Sequence, residues 1–314
     1  MTTSVKTKKS MRAGSRNKLI FYSLFISIPV LHFLIFYVYI NFGSILLAFQ
    51  SYAFDGLTGY TASFAGFDNF VAAWTNIWQY SYRITNALIH LGVTVVICMP
   101  LALLFSFYLY KNYLMSGFFK VILFMPQLLS GVILGLLYRY IVTDVYLFFA
   151  KAAGSEEAMG LLSQPDKQLA TVIVFNVLMS FGVNILTYTS TMSGINGSLI
   201  ESAQLDGANS MQEFIFIVLP MIYPTIVTLF IVGVSHVFTN QVNLYTLYGG
   251  NAGSNSTMGY FLYVQAKDSE LTAPREGVLS YPVLSAMGLI LTAIILPISM
   301  GLRHVLNKYG PSAD

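Results

Sequence analysis

Amide, imidazole and hydroxyl side chains recur within two of the most apolar stretches of the chain. In the second stretch their spacing of three and four residues favours a single helical face. Such groups donate and accept hydrogen bonds, so we interpret them, with two nearby aromatic residues, as candidates for lining the path of a polar solute. The alternative is that they hydrogen-bond between neighbouring helices and hold them together. The candidates are Asn176, Asn184, Tyr188, His236, Thr239, Asn240, Asn243 and Tyr245.

The sequence contains none of the motifs that would make this chain an enzyme. A G-x-x-x-x-G-K-[ST] phosphate-binding loop is absent, as are an H-E-x-x-H zinc motif and a nucleophile elbow. The four histidines are scattered, and the isolated His32 and His90 are interpreted as satisfied side chains inside the protein. The single cysteine, Cys98, excludes an internal disulfide and a cysteine-based metal cluster. We expect no catalytic residues, no cofactor bound by this chain and no metal site.

Composition places the polar candidates in a membrane protein. Hydrophobic residues make up 56% of the chain and charged residues only 9%, against about 25% in soluble domains. Apolar stretches of the ~20 residues needed to span a bilayer occur at 19–49, 86–110, 118–142, 169–192, 219–246 and 280–302. The first is too long for a signal-peptide core, so we interpret it as a retained helix, kinked or broken near Pro29.

The basic residues indicate the orientation, because they favour the cytoplasmic side of a membrane. With the N-terminus inside, ten of the 16 Lys and Arg residues and only four acids are cytoplasmic. Both termini are therefore expected inside the cell. The basic N-terminal run is interpreted as topogenic and lipid-facing, not as a nucleic-acid site. The expected division is a tail at 1–18, a membrane domain at 19–302 and a tail at 303–314.

Three segments are expected on the outer side of the membrane. Segment 50–85 contains Trp74 and Trp78, which are typical of a helix lying at the membrane interface. Segment 143–168 is short and polar. Segment 247–279 is rich in Gly, Asn and Ser, which predicts a loop with one short helix around Met258–Ala266.

One cytoplasmic segment, residues 195–220, has the signals of a helical hairpin. Two capping boxes are indicated, Ser198 with Glu201 and Ser210 with Glu213. Between them, Asp206-Gly207 predicts a helix stop, because glycine readily adopts the left-handed conformation. We therefore expect two short helices joined by a sharp turn and ending at Pro220, where the next span begins.

An apolar stripe on the second hairpin helix consists of Phe214, Ile217 and Val218. A stripe of this kind is typical of a helix that inserts into a groove on a partner protein. The alternative is an ordinary surface loop whose acidic side chains are merely solvated.

The same segment resembles the EAA loop of permease subunits of ABC importers, in the version typical of the maltose-type carbohydrate permeases. It carries Glu201-Ser202-Ala203, Asp206-Gly207-Ala208, Phe214, Ile217, Leu219-Pro220 and Pro224. Weaker similarities follow in the family's order, at Gly66–Phe70, Asn86-Ala87-Leu88 and Phe119 to Pro126. The departures are Ser202 in place of alanine, and Leu247–Asn251 in place of the family's Thr-Gly-Gly-Pro.

The resemblance implies roles for the motif residues in coupling to an ATPase. Glu201 would contact a basic group on the ATPase, Gly207 would make the turn, and Ala203 and Ala208 would permit close approach. Loss of the turn, as in Gly207→Pro, should uncouple transport from ATP hydrolysis. The full set of expected coupling residues is Glu201, Ala203, Asp206, Gly207, Ala208, Phe214, Leu219 and Pro220.

The fold implied is all-α, with about six transmembrane helices and a cytoplasmic two-helix coupling loop. The resemblance also implies a homologous second permease, two ATP-binding subunits that hold ATP and Mg, and an extracytoplasmic binding protein that delivers a carbohydrate. Transport would proceed by alternating access.

Two other classes of transporter remain as alternatives. An ion-coupled secondary transporter would need intramembrane carboxylates, and the predicted spans contain essentially none. An importer of the same architecture for an osmolyte, polyamine or phosphodiester is the second alternative. A carrier of cations should line its path with acids or aromatic rings, whereas this chain offers amides, so we expect an oligosaccharide.

Overall fold

A computed structural model describes residues 5–57, 59–155, 157–273 and 275–311, with side chains from residue 17 onward. Its α-helices are α1 Val5–His32, α2 Ile40–Leu47, α3 Asp68–Gln79, α4 Tyr82–Val93, α5 Met99–Tyr110, α6 Ser116–Phe124, α7 Gly131–Tyr140, α8 Tyr146–Ala152, α9 Gln168–Ser193, α10 Gly197–Leu205, α11 Ser210–Glu213, α12 Leu219–Ser235, α13 Leu244–Tyr248, α14 Met258–Asp268 and α15 Tyr281–Tyr309. The π-helical segments are Phe33–Tyr39, Thr94–Cys98, Ile141–Val145 and Phe214–Val218, and the 3₁₀ turns are Met125–Leu128, Leu161–Ser163 and Gly253–Asn255.

Six described segments are long and apolar enough to cross a membrane. In chain order, spans 1 to 6 are Asn17–Leu47, Tyr82–Tyr110, Gly131–Ala152, Gln168–Ser193, Ser210–Ser235 and Tyr281–Tyr309. The all-α expectation with six spans is therefore confirmed. The helices also extend beyond the predicted membrane domain, because α1 begins at Val5 and α15 continues to Tyr309.

Two of the π-helical segments stand directly before a proline. Thr94–Cys98 precedes Met99-Pro100, and Phe214–Val218 precedes Leu219-Pro220. Proline has no backbone N–H and its ring clashes with the carbonyl four residues earlier, so the turn before it can widen without losing a further hydrogen bond. In span 1 the helix is not broken at Pro29, since Pro29 lies inside α1 and the span continues to Leu47, and the kink there stays a prediction.

The third span differs most from the sequence prediction. The predicted span 118–142 is interrupted after the 3₁₀ turn that contains Pro126, where Leu129 and Ser130 are extended. The membrane-length segment begins at Gly131 and continues to Ala152, leaving 116–128 as a separate short apolar helix. Hydropathy is continuous across this break, which is why a hydropathy pattern alone does not detect it.

The fifth span ends earlier than predicted. The prediction 219–246 places His236, Thr239, Asn240 and Asn243 on one helical face, but α12 stops at Ser235. The chain then turns, with Val242 and Asn243 at positive φ, before α13 begins at Leu244. Asn240 stabilises this turn, because its Oδ1 accepts a hydrogen bond from the Val242 N–H at 2.8 Å. The four polar residues therefore belong to a turn rather than to a helical stripe.

The chain divides into two compact units. The first comprises the chain up to Trp74 together with Ser269–Leu289. It contains span 1 and a β-hairpin that was not predicted, in which β1 Gln50–Asp55 pairs antiparallel with β2 Gly59–Phe64. Asn69 holds the start of the hairpin, since its Nδ2 donates to the carbonyls of Ala48 and Gln50 at 3.0 and 2.8 Å.

The second unit comprises Thr75–Asp268 with Ile290–Asp314 and contains spans 2 to 5. Its core forms where α5 packs against α9, around the fully buried Ala102, Ile185 and Met192. Ser106 links the two helices, because its Oγ donates to the Ile185 carbonyl at 3.0 Å. Gly182 of α9 permits a close approach of α6, because a Cβ at position 182 would lie 2.2 Å from the Leu123 carbonyl oxygen.

Candidate functional site

The hairpin between spans 4 and 5 has the predicted turn. Helix α10 ends at Leu205, and Gly207 has a φ of 84°, in the left-handed region where a side chain is strained. The caps lie elsewhere than predicted. Asn196 caps α10, and Asn209 forms a capping box with Gln212 at the start of α11. Asparagine precedes both predicted serines and is an equally good cap, so the sequence signal was shifted rather than absent.

The second arm of the hairpin does not end at Pro220. Helix α11 continues through the π-helical Phe214–Val218 into α12, so span 5 runs unbroken from Ser210 to Ser235. Proline is tolerated within this continuous helix because Pro220 follows the widened π-helical turn, which accommodates its ring and its missing N–H. The hairpin is thus rigidly continuous with a transmembrane helix.

The motif residues fall into an exposed and an internal group. Glu201, Asp206 and Gly207 are exposed, and Ala203 and Ala208 are half-buried beside them. The internal residues are the half-buried Leu219 and Pro220 and the buried Phe214, whose ring lies 4.9 Å from that of Phe107. The expected insertion of the Phe214 stripe into a partner is therefore wrong, because Phe214 and Val218 pack into this chain's own core.

An ion pair beneath the hairpin was missed by the sequence analysis. Glu213 is 1% exposed, and both of its carboxylate oxygens accept hydrogen bonds from Lys111 Nζ, at 2.9 and 2.8 Å. Gln204 Nε2 donates to the same carboxylate at 3.3 Å. Glu213 was interpreted only as a capping residue, and the 102 residues that separate the partners gave no pattern to detect.

A cavity of about 270 Å³ lies between spans 2, 4 and 5, with the turn after span 5 contributing to its wall. Apolar residues from these spans form much of the wall. The polar residues that line it are His90, Thr94, Asn176, Ser180, His236 and Asn240. Among the eight predicted path residues, Asn176, His236 and Asn240 are therefore brought together here.

His90 corrects an expectation. The sequence interpretation made it a satisfied side chain, but its Nε2 is buried and has no hydrogen-bond partner among the described residues. Thr94 follows it by one helical turn, and Ser180 follows Asn176 in the same way. This i, i+4 pairing of polar residues in two spans was the signal that could have identified the cavity.

The remaining candidates lie outside the cavity lining. Asn243 Nδ2 donates to Asn176 Oδ1 at 2.8 Å, so this pair serves the alternative role of holding the fold together. Thr239 contacts His236 Nδ1 at 3.3 Å, and Asn184 is half-buried in α9. Tyr188 is 1% exposed, within the core between α5 and α9, so the expectation that it lines the path is wrong.

Tyr245 belongs to a separate cluster. Its ring meets Tyr263 edge-on with centroids 5.0 Å apart, and its hydroxyl accepts a hydrogen bond from Lys267. That hydrogen bond raises the pKa of Lys267. The cluster joins α13 to α14. Helix α14 itself confirms the short helix expected near Met258–Ala266, and it extends to Asp268.

The fold has a solved counterpart. The crystal structure of a bacterial ABC transporter involved in the import of the acidic polysaccharide alginate contains a chain that superposes with a TM-score of 0.72. The two chains are 23% identical, and the match covers 96% of this chain and 99% of the other. At this identity the likeness establishes the fold.

Sequence relatives extend over most of the chain. An arabinooligosaccharides transport system permease protein from Bacillus subtilis is 26% identical over 286 residues, covering 88% of this chain and 85% of the relative. A lactose transport system permease protein from Rhizobium radiobacter is 27% identical, covering 65% of this chain and 71% of the relative.

A protein-family pattern matches about three quarters of the chain, which establishes the family. The pattern of the binding-protein-dependent transport system inner membrane component matches residues 70–308, which include the hairpin and all the residues that line the cavity. Members of this family are the permease rather than the ATPase of their systems. The chain therefore belongs to the family of binding-protein-dependent transport system inner membrane components and is a multi-pass membrane permease.

Proposed function

We propose that this permease carries an oligosaccharide delivered by an extracytoplasmic binding protein. The observation that carries the proposal is the cavity between spans 2, 4 and 5. Its described lining includes amide, hydroxyl and imidazole groups but no carboxylate, ammonium or guanidinium group. A neutral polyhydroxyl ligand pairs with such groups, whereas a cationic solute would leave its charge uncompensated at membrane depth.

The sugar relatives support the same substrate class. Two relatives are named for the transport of arabinooligosaccharides and lactose. Within the proposed site, His90, Ser180, His236 and Asn240 hydrogen-bond to sugar hydroxyls. Asn176 shapes the wall, because its amide already bonds to Val242 and Asn243.

The exposed half of the hairpin is the proposed docking site for the motor. Glu201 and Asp206 offer carboxylates, and Leu205 beside them is 89% exposed although it is apolar. An exposed surface that carries both carboxylates and a large apolar side chain is typical of a helix that binds in a groove on a partner protein. In this proposal two ATP-binding subunits hold ATP and Mg and dock on this face, which is cytoplasmic together with both termini.

Transport then follows alternating access. A homologous second permease completes the pathway as a heterodimer, and closure of the ATPase subunits displaces the hairpin. Because the hairpin is continuous with span 5, its displacement reaches the cavity wall at Val232 and Gly233 without an intervening loop.

The proposal is tested with the purified complex in proteoliposomes. Loaded binding protein is supplied outside and ATP inside, and uptake is measured for labelled oligosaccharides from arabinan and starch, for lactose and for glycine betaine. We expect ATP-dependent uptake of at least one sugar and none of the betaine. Uptake of the betaine alone, or sugar uptake that continues without ATP, would contradict the proposal.

A further inference from the structure

The cavity wall has two helices that meet again at the opposite end of the unit. Span 2 contributes His90 and Thr94 to the cavity, and its last turn is followed directly by Lys111. Span 5 contributes Val232 and Gly233, and its first turn contains Glu213. The Lys111–Glu213 ion pair therefore joins the far ends of two helices that form one cavity.

The contacts around this ion pair are unusually complete for a position so close to a surface loop. Glu213 is almost fully buried and the Lys111 side chain is 17% exposed. Phe107, four residues before Lys111, and Phe214, next to Glu213, also join the two spans, since their ring centroids lie 4.9 Å apart. Tyr113, two residues after Lys111, also donates from its hydroxyl to Ser210 Oγ at 2.9 Å.

A buried ion pair adds little net stability compared with a well-packed apolar pair, because both charges lose their hydration. What it does provide is a fixed geometry, since leaving either charge without its partner is costly. Here the carboxylate also accepts from Gln204, which lies on the other arm of the hairpin. One buried carboxylate thus connects both arms of the hairpin to the end of span 2.

We propose that Lys111 is the positioning residue through which displacement of the hairpin reaches span 2. The ion pair makes spans 2 and 5 move together, so that both walls of the cavity shift when the hairpin shifts. Without the ion pair, displacement of the hairpin moves span 5 alone, and span 2 with His90 keeps its position. This inference rests on the proposed function, because it assigns a path to the motion that the motor causes.

The functional test compares transport with hydrolysis in the assembled complex. In proteoliposomes, Lys111→Met should lower the number of labelled sugar molecules imported per ATP hydrolysed by about fivefold or more. The exchanged double variant K111E/E213K should recover most of that ratio. Lys120→Met is the matched control, because the Lys120 side chain makes no hydrogen bond or ion pair to the described residues. Its ratio should be that of the wild type. An unchanged ratio in Lys111→Met would overturn the inference.

A second measurement needs neither sugar nor transport. Spin labels at the exposed Leu114 and Met211, in a Cys98→Ala background, report the distance between the end of span 2 and the hairpin in the purified full complex. We expect a narrow distance distribution in the otherwise unaltered chain and in Lys120→Met, a broad or shifted one in Lys111→Met, and recovery in K111E/E213K. The same narrow distribution in Lys111→Met would refute the inference. Failure of the wild-type complex to import any sugar would instead count against the proposed function.

Discussion

At the scale of the residue, His90 is buried at a cavity wall, and its Nε2 has no hydrogen-bond partner in the part of the chain that the structure describes. An unsatisfied buried polar atom costs about 1–3 kcal/mol, so a ligand hydroxyl that pairs with it gains that amount on binding. In the proposed site a sugar hydroxyl is the partner of this nitrogen.

Replacement of His90 by leucine removes that pairing while keeping a side chain of similar bulk. We expect the apparent KM for the transported sugar to rise by about fivefold to a hundredfold, which corresponds to the same 1–3 kcal/mol. The measurement is initial uptake against sugar concentration in proteoliposomes. His32→Leu is the matched control, because His32 lies in span 1 and not at the cavity, and its KM should be unchanged. Equal KM values for His90→Leu and His32→Leu would show that His90 does not contact the sugar.

Sequence alone identified part of this cavity. Asn176, His236 and Asn240 were recognisable because amides and imidazoles are rare in apolar stretches. Tyr188 was not distinguishable from a path residue, since periodicity gives the face of a helix but not what packs on that face. His90 was misassigned because the residues that line the cavity with it come from spans that are distant in sequence.

At the scale of the element, the capping box of α11 fixes where the second hairpin arm begins. Asn209 Oδ1 accepts hydrogen bonds from the N–H groups of Met211 and Gln212 at 3.1 and 2.9 Å. Asn209→Ala should cost about 1 kcal/mol of helix stability and speed hydrogen exchange at those two amides by about fivefold.

The matched control for the cap is Ser210→Ala, which alters the serine that the sequence analysis favoured. Ser210 makes only an exposed side-chain contact with Tyr113, so its loss leaves the cap intact. Exchange at Met211 and Gln212 should stay at the wild-type rate in this variant. Faster exchange in Ser210→Ala than in Asn209→Ala would show that the cap is misplaced.

The elements differ in how well sequence determines them. The Gly207 turn was predictable because only one residue type readily takes that conformation. The boundaries of spans 3 and 5 were not predictable. Apolar residues continue across the break in span 3, and the polar residues after Ser235 have a spacing that fits a helical face as well as a turn, so both breaks depend on tertiary contacts. Asn176, for example, donates to the Val242 carbonyl at 2.8 Å across 66 residues, which stabilises the turn after span 5.

At the scale of the whole molecule, the proposed topology places the hairpin on the cytoplasmic face and the β-hairpin loop on the outer face. Single cysteines at Ser198 and at Leu57, in a Cys98→Ala background, test this in intact cells with a membrane-impermeant maleimide. Leu57 is 96% exposed and should react, whereas a cysteine at position 198 should react only after the membrane is opened. Labelling of position 198 in intact cells would invert the proposed topology.

In the proposed mechanism, ATP hydrolysis on partner subunits drives this permease through the hairpin. Proline at position 207 cannot adopt a φ of 84°, and it also removes the hydrogen bond from the Gly207 N–H to the Gln204 carbonyl. The same substitution at Gly197 is the matched control. Gly197 is the first residue of α10 and follows an extended Asn196, a position where proline is well tolerated.

The most direct measurement records sugar uptake and ATP hydrolysis together, in proteoliposomes that contain the complex with wild-type, Gly207→Pro or Gly197→Pro permease. We expect Gly207→Pro to assemble and hydrolyse ATP with uptake reduced by about tenfold or more, and Gly197→Pro to transport like the wild type. Wild-type uptake by an assembled Gly207→Pro complex would contradict the account.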